Sequence, residues 1–437
     1  MRLDLKNKLF KIAFPCVLSL IISAAFIAGC SLSSYDWFVK TVKKHYFYPV
    51  DDSAFEGDDL KEIAGRTLDK YSAYYTAEEY KNLMKSNSGS KSGIGISYSF
   101  AEGKGIYISS VIGNSPAYIS GLRAGEWIES ASLGGETAVF EKSSDFADFV
   151  NSAKEEEKIN LNSSDGKVYT VSKSEYTASY TYMASNDNAW IFSSAANGGL
   201  AVTPLYSEII PELPDGTAYI NISQFYGTAS REFDILVNKF NAEKFTSLII
   251  DLRSNGGGYV NVMQDMAYAF SNNTKTLAML SRDKKGREEK FYCTKVSPNA
   301  SVLAQDTKIY VLANSGTASA SEALIGAMIC YGRLEYENIF LSDYSEEYLG
   351  WLQSSGQEIK NARSYGKGIM QSTFVNSFTK EALKLTTAQI YWPDEKTCIH
   401  DKGVTAEDGC TPVPAQWERT KGDEELKAVI EIIRTRT

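Results

Sequence analysis

The chain has 437 residues and a net charge of −9. It is too long for a single hydrophobic core and too acidic to favour a nucleic-acid partner. Its two histidines, His45 and His400, and the lack of any CxxC or HExxH spacing leave little material for a metal site or a Ser-His-Asp triad. Neither a metal nor a cofactor is expected.

Basic residues up to Lys11 precede an apolar run from Ile12 to Ala28, followed by Gly29 and Cys30. This pattern is an export signal and not part of the fold. The ending Ile27-Ala28-Gly29-Cys30 resembles a bacterial lipobox, and cleavage before Cys30 would leave that cysteine to carry lipid. Acyl chains, at about 0.8 kcal/mol per buried methylene, would hold the protein on a membrane. A transmembrane anchor is the alternative, and either one places the body in the cell envelope, facing away from the cytoplasm.

Ser31 to about Lys85 is expected to be helical, with Tyr35, Trp37, Phe38, Val42 and Tyr46 on one buried face and a second apolar patch from Leu60 to Leu68. Thr76 and Glu79 have the spacing of a capping box. Ser86 to Ser92 is small, polar and without an apolar residue, so a flexible boundary belongs there. From Gly93 short β segments follow: Gly93-Ile94-Gly95-Ile96, Gly105 to Ile112 and Trp127-Ile128, then a helix from Phe146 and a strand from Lys167 to Val171. With Ser115-Pro116-Ala117 and Gly121-Leu122-Arg123-Ala124-Gly125, this order resembles a circularly permuted bacterial PDZ domain. The resemblance implies that Gly93, Ile94, Gly95 and Ile96 receive a peptide's terminal carboxylate while the peptide adds as a strand.

Residues 176–214 show two strand-like pieces, at Trp190 to Phe192 and Leu200 to Val202, around a turn at Asn197-Gly198-Gly199. From Thr217 strands alternate with helices: a strand at Tyr219 to Ile222, a helix from Ser230 to Phe240, a buried strand from Ser247 to Leu252 and a helix from Val260 to Phe270. That alternation implies βαβ crossovers. Ile309 to Ala313 then breaks into Asn314 to Glu322 and a helix, a strand-to-helix turn that would present a serine beside free helix N–H groups.

Asp251-Leu252-Arg253-Ser254-Asn255-Gly256-Gly257-Gly258 leaves a buried strand and opens a helix. It lacks the Lys-Ser/Thr and GxGxxG spacings of phosphate sites, so an oxyanion hole fits better. Asp251 and Arg253 suit a structural ion pair under that turn. Lys367 lies in the glycine-framed Gly366-Lys367-Gly368, and with histidine scarce a Ser-Lys hydrolase is the reading left. A free lysine, at about 10.4, must fall toward roughly 7–8 to act as a base, which burial accomplishes.

Tyr71 to Tyr74, Thr76 to Tyr80, Leu248 to Gly258, Thr317 to Glu322, Gly366 to Gln371 and Leu383 to Gln389 together resemble the carboxyl-terminal processing peptidases, or tail-specific proteases, over about Ser33 to Pro412. The resemblance implies an α/β fold, a crotonase-like βαβ spiral core carrying an inserted PDZ-like domain and an N-terminal helical segment. It implies Ser319 as nucleophile, Lys367 as base and Gln371 as orienting group. The oxyanion donors would be Ala320 and one of Gly257 and Gly258, and Ser321 is the reserve nucleophile.

The expected divisions are a signal peptide at 1–29, a helical segment and linker at 30–92, the PDZ-like domain at 93–175, the catalytic core at 176–420 and a terminal helix at 421–437. Partners would be protein substrates with accessible C-terminal tails. The chain departs from the family in an insertion around Asn338 to Ala362, either a lid or a surface loop, and in Asp69-Lys70 where Asp-Pro is common. Rival readings are a non-catalytic ligand- or peptide-binding lipoprotein on the same scaffold and a CoA-type hydratase or isomerase. Cys398 and Cys410 flank a turn and could pair in an oxidising compartment.

Overall fold

A computed structural model describes residues 33–123, 125–194, 200–205, 211–354, 361–415 and 423–436. Cys30, the stretch expected to be an export signal, Ala124 and the turn at Asn197 to Gly199 lie outside the described residues. The described part forms two compact units, one running to Asn82 and including Gln371–Thr387, the other made of Leu83–Met370 and the chain from Ala388.

In the first unit Ser33 caps the helix Ser34–His45, its Oγ accepting from the Asp36 N–H at 3.0 Å. Phe38, Val42 and Tyr46 recur every fourth residue and are buried together with Phe55, Ile63 and Leu383, whereas Trp37 is only partly buried and Tyr35, expected on the same face, is exposed because it lies on the helix side turned from that core. The helical expectation fails at Ala73–Tyr75, which is a strand paired antiparallel with Ala382–Lys384. Three neighbouring aromatic and small residues satisfy their backbone there by an edge that the N-terminal sequence alone does not contain. The capping box is present: the Thr76 N–H donates to Glu79 Oε2 at 2.9 Å and the Glu79 N–H to Thr76 Oγ1 at 3.3 Å.

The second unit is built on an eight-stranded mixed sheet. Its order is Leu200–Leu205, Ala189–Ser194, Thr181–Ala184, Thr217–Ile222, Ser247–Asp251, Lys308–Ala313, Ile339–Tyr344 and Thr411–Ala415. The last five run parallel and the first three antiparallel. The strand Ser247–Asp251 is buried throughout, as a parallel strand covered on both faces must be. Leu248 and Ile250 enter the core formed with the helices Ala229–Ala242, Val260–Ser271 and Ala320–Cys330, while Ile249 faces the core closed by Glu424–Arg436.

A smaller β domain in the same unit has the order Ile96–Ala101, Gly105–Val111, Trp127–Leu133, Lys158–Ser163 and Val168–Ser172, with its own apolar core. Ser86 to Ser92 is not flexible. Ser90–Gly93 pairs with Ser174–Thr177, the Ala178 N–H donates to Gly89 O and the Gly227 N–H to Asn87 O. Small polar side chains leave the backbone free to pair, and that pairing orders the segment without any apolar burial.

Within the expected insertion, Ile339–Tyr344 is an interior strand of the large sheet, so a lid or surface loop can begin only after Tyr344, where the helix Glu346–Ser354 follows. Among the described residues the four cysteines, Cys293, Cys330, Cys398 and Cys410, are free thiols, and Cys398 and Cys410 do not pair. Cys410 is buried, which pushes its thiol up to about 12, and Cys398 Sγ instead lies 4.0 Å from Gly368 O.

The indole of Trp392 lies flat on Gly326 in the helix Ala320–Cys330, so an added Cβ would fall 2.3 Å from three of its ring atoms. Gly326→Ala is therefore expected to destabilise the protein by about 1–3 kcal/mol through overpacking, read from the chemical-denaturation midpoint. An unchanged midpoint would show that the indole can move aside.

Candidate active site

Ser319 ends the turn that follows Lys308–Ala313 and stands at the N-terminus of Ala320–Cys330 with φ 59° and ψ −115°. A non-glycine residue in that region is strained, and the strain is held by neighbours on every side. The Asn314 N–H donates to Thr317 Oγ1, and Thr317 in turn donates to Leu252 O at 2.8 Å. The Ala318 N–H donates to Asn255 O at 2.9 Å, tying the serine turn to the glycine turn.

Ser319 is half-buried, whereas Ser321 is fully buried and its Oγ donates to Asn255 O at 2.9 Å. Of the two serines, only Ser319 has a side chain with access to solvent.

Asn255, itself fully buried, organises the glycine turn. Its Nδ2 donates to Ile222 O at 2.7 Å and its Oδ1 accepts from the Gly257 N–H at 2.9 Å. A Cβ on Gly257 would lie 2.8 Å from both Ala320 N and Ser319 Cβ, so glycine there lets the two turns touch. Gly258 has φ 152° and faces Phe225, where a Cβ would meet the carbonyl oxygen at 2.4 Å. Gly257 thus gives its amide to Asn255, while Ala320 opens the helix with its N–H at the positive end of the dipole.

Glu322 was legible in the sequence only as a landmark after Ser321. In the structure it is fully buried, and its carboxylate accepts four hydrogen bonds. Oε1 takes Ser364 Oγ at 2.5 Å and the Gly366 N–H at 2.7 Å, and Oε2 takes the Ser319 N–H and the Lys367 N–H, each at 2.9 Å. Burial raises its pKa above the ordinary glutamate value against the opposing pull of these donors. One oxygen thus holds the backbone of Ser319 and of Lys367 two hydrogen-bond lengths apart at most. The signals that could have found this role are a glutamate at the third helical position after Ser319 and the small residues Ser364 and Gly366.

The Lys367 loop is fixed further by the Tyr365 N–H on Thr317 O at 2.9 Å and the Asp401 N–H on Gly366 O at 2.8 Å. Lys367 is half-buried, between buried Gly366 and Gly368. His400 adjoins Gly368, where a Cβ would lie 2.5 Å from the His400 backbone nitrogen. Gln371 belongs to the other unit, where its Nε2 donates to Thr386 Oγ1 at 3.3 Å and Thr386 donates to Asp69 Oδ2 at 2.8 Å. The departure at Asp69-Lys70 therefore leaves the aspartate in use.

Asp251 and Arg253 form a buried ion pair under the glycine turn, at 2.5 Å, extended by Asp423 at 2.6 Å and Glu425 at 3.0 Å. Burial works against the Arg253 charge, but the three carboxylates outweigh it and keep the guanidinium well above its ordinary pKa. Every acid–base partner here is another buried group, which fits support and not proton exchange with a substrate.

In the smaller domain, Gly93 pairs with Ser174, Ile94 is buried with its carbonyl on the Ala117 N–H, and Gly95 O accepts from the Ile112 N–H. Ile96 opens Ile96–Ala101, an edge strand, and Tyr98 on that strand meets Phe146 of the helix Ser143–Ser152 at 4.8 Å between ring centroids.

Residues 216–335 match the model of peptidase family S41, the stretch that carries the glycine turn, Ser319 and Glu322. That stretch is similar to the family, and the relatives below share the similarity over more of the chain. It is 22% identical over 374 residues to a Staphylococcus epidermidis protein named "Probable CtpA-like serine protease", covering 86% of this chain and 64% of that one. It is 27% identical over 280 residues to "Carboxyl-terminal-processing peptidase 3, chloroplastic" of Arabidopsis thaliana, covering 63% of this chain and 49% of that one. The chain thus spans less than two-thirds of the length of these curated relatives. The solved photosystem II D1 C-terminal processing protease shares the fold, with a TM-score of 0.51 at 18% identity over 92% of this chain and 97% of that one.

Replacing Glu322 by glutamine keeps the shape but turns an NH₂ group toward backbone donors. Glu322→Gln is expected to lose about 1–3 kcal/mol of stability at neutral pH, because at least one buried amide is left without an acceptor. Equal midpoints for parent and variant in urea would show that the carboxylate does not clamp the two segments.

Proposed function

We propose that this chain is a serine endopeptidase working through Ser319 and Lys367. The observation that carries the reading is the single Glu322 oxygen shared by the backbones of those two residues, with Ser319 strained and accessible at a helix N-terminus. Ser319 Oγ attacks the scissile carbonyl and gives its proton to Lys367 Nζ as the Oγ–C bond forms. The oxyanion is met by the N–H groups of Ala320 and Gly258, since the Gly257 amide is already donated to Asn255. Collapse breaks the C–N bond, and the departing amine takes the proton from Lys367. Water then attacks the acyl-enzyme, giving one proton to Lys367, which returns it to Ser319.

A non-catalytic binding protein on this scaffold would have no need of a strained serine tied to a lysine loop, and both residues are retained.

Substrates on this reading are envelope proteins with accessible C-terminal tails. The smaller β domain serves as a PDZ-like reader, its edge strand Ile96–Ala101 open to a peptide strand and the Gly93 to Ile96 segment facing the terminal carboxylate. Cys30 carries lipid and holds the chain on the envelope membrane.

Ser319→Ala and Lys367→Ala are each expected to abolish cleavage, the double variant being no worse than either, because the pair acts as one unit. Ser321→Ala should retain turnover and lose only about 1 kcal/mol of stability with its hydrogen bond to Asn255. Cleavage by Ser319→Ala in a peptide assay would overturn the mechanism.

Amidating a substrate's C-terminus should lower kcat/KM for a tail-bearing protein while leaving a short tail-less peptide unaffected. Equal values for free-acid and amidated forms would remove terminus reading from the proposal. Cys30→Ser should abolish fatty-acid labelling and release the protein from the membrane fraction, or leave an unprocessed precursor; labelling that persists would exclude Cys30 as the attachment site.

A further inference from the structure

The strands Ile369–Val375 and Ala382–Tyr391 are joined by a tip that exposes two large apolar side chains, Phe378 at 62% and Val375 at 44%. Their exposure is fixed by the loop backbone. Asn376 is buried, and its Oδ1 accepts from the Phe378 N–H at 3.0 Å. Its backbone N–H donates to Glu381 O at 2.8 Å and its carbonyl accepts from the Lys380 N–H at 2.9 Å. Lys380 sits at φ 64°, and its ammonium donates to Ser377 O at 2.7 Å. A loop so fully bonded cannot fold Phe378 back onto its own unit without breaking these contacts. The tip residues 375–380 contain a cation and no acid.

The position of the tip is set by Glu381. Its carboxylate accepts from Tyr74 OH at 2.8 Å and from Thr379 Oγ1 at 2.7 Å, and the Ser34 hydroxyl lies beside it. Ser34 is four residues after Cys30, and four residues span at most roughly 14 Å whatever path they take. A lipid on Cys30 would therefore enter the bilayer close to the tip, all of these residues belonging to the same compact unit. At that distance the tip faces headgroups, where an aromatic ring beside a lysine is stable and an exposed phenylalanine in water is not.

We propose that the tip Val375–Lys380 is a membrane contact that seats Phe378 in the lipid interface beside the acylated N-terminus. It adds to the acyl anchor and fixes how this unit stands on the membrane. The proposal rests on the lipoprotein reading of Cys30.

The test places Phe378→Cys in the full chain, with Cys330 and Cys398 replaced by serine, and labels it with an environment-sensitive fluorophore. The acylated protein is bound to phosphatidylethanolamine–phosphatidylglycerol vesicles. A second form, with a hexahistidine tag ahead of Ser31, is held on nickel-chelating lipid. In both, the label is expected to shift to the blue, at least double its emission and be quenched by spin-labelled lipid, while a label at Val139→Cys in the smaller β domain does none of these. A label at 378 that stays water-exposed in both tethered forms overturns the proposal. So does protection of that label without vesicles in a sedimenting dimer, which would make the tip an interface between copies. Failure of the lipoprotein reading appears separately, as an unacylated Cys30 by mass spectrometry, and the tagged form still reports on the tip.

Discussion

The buried carboxylate of Glu322 is the interaction on which the candidate site depends. A carboxylate removed from water is costly unless donors surround it, and here four converge on its two oxygens from the serine turn and the Ser364 to Lys367 loop. The geometry follows from that requirement. Any displacement of either segment strands a buried acceptor, so the strained backbone of Ser319 and the glycine-framed lysine loop are held in one arrangement. The helix Ala320–Cys330 supplies the glutamate from its first turn, where a negative charge also suits the helix dipole.

The same device recurs elsewhere. Glu232 is buried on the helix Ala229–Ala242, and its Oε2 accepts from the Tyr180 and Thr181 N–H groups at 2.8 and 2.9 Å, fixing the chain where it enters the large sheet. Asn255 does the equivalent work in the glycine turn with a neutral amide. Arg253 reverses the signs, with one guanidinium and three carboxylates gathered at the carboxyl ends of the parallel strands. Asp423 and Glu425 come from the start of the last helix, which couples the C-terminal segment to the support of the glycine turn. Removing one partner from such a cluster costs more than the cluster contributes over apolar packing, because the remaining charges stay buried.

Much of the fold was legible because its signals are local. The all-apolar Leu248 to Ile250, the 3.6-residue spacing from Ser230 to Phe240 and the strand-to-helix break after Ala313 each specify an element without reference to the rest of the chain. What misled was the assumption that polar segments are loose and that an apolar periodic stretch is uniformly helical. Ser90–Gly93 and Ala73–Tyr75 are strands because a partner strand, far away in sequence, offers its edge. Ile339–Tyr344 was assigned to an insertion for a related reason: its place between two parallel strands is a property of the sheet and not of its own six residues.

For the site, the sequence by itself determined the chemical inventory: a serine on a strand-to-helix turn, a lysine between glycines, a glycine-rich strand end and too few histidines for a triad. Residue type and near-neighbour spacing carry that information, since a turn or a helix start is made by consecutive residues. Tertiary structure decided which members of the inventory can act. It buried Ser321 against Asn255 O and left Ser319 accessible, gave the Gly257 amide to Asn255, and made Glu322 the link between two segments that are remote in sequence. Each of those outcomes turns on which donor reaches which acceptor across the fold, and a hydrogen bond between distant segments leaves no periodicity in the chain to be read.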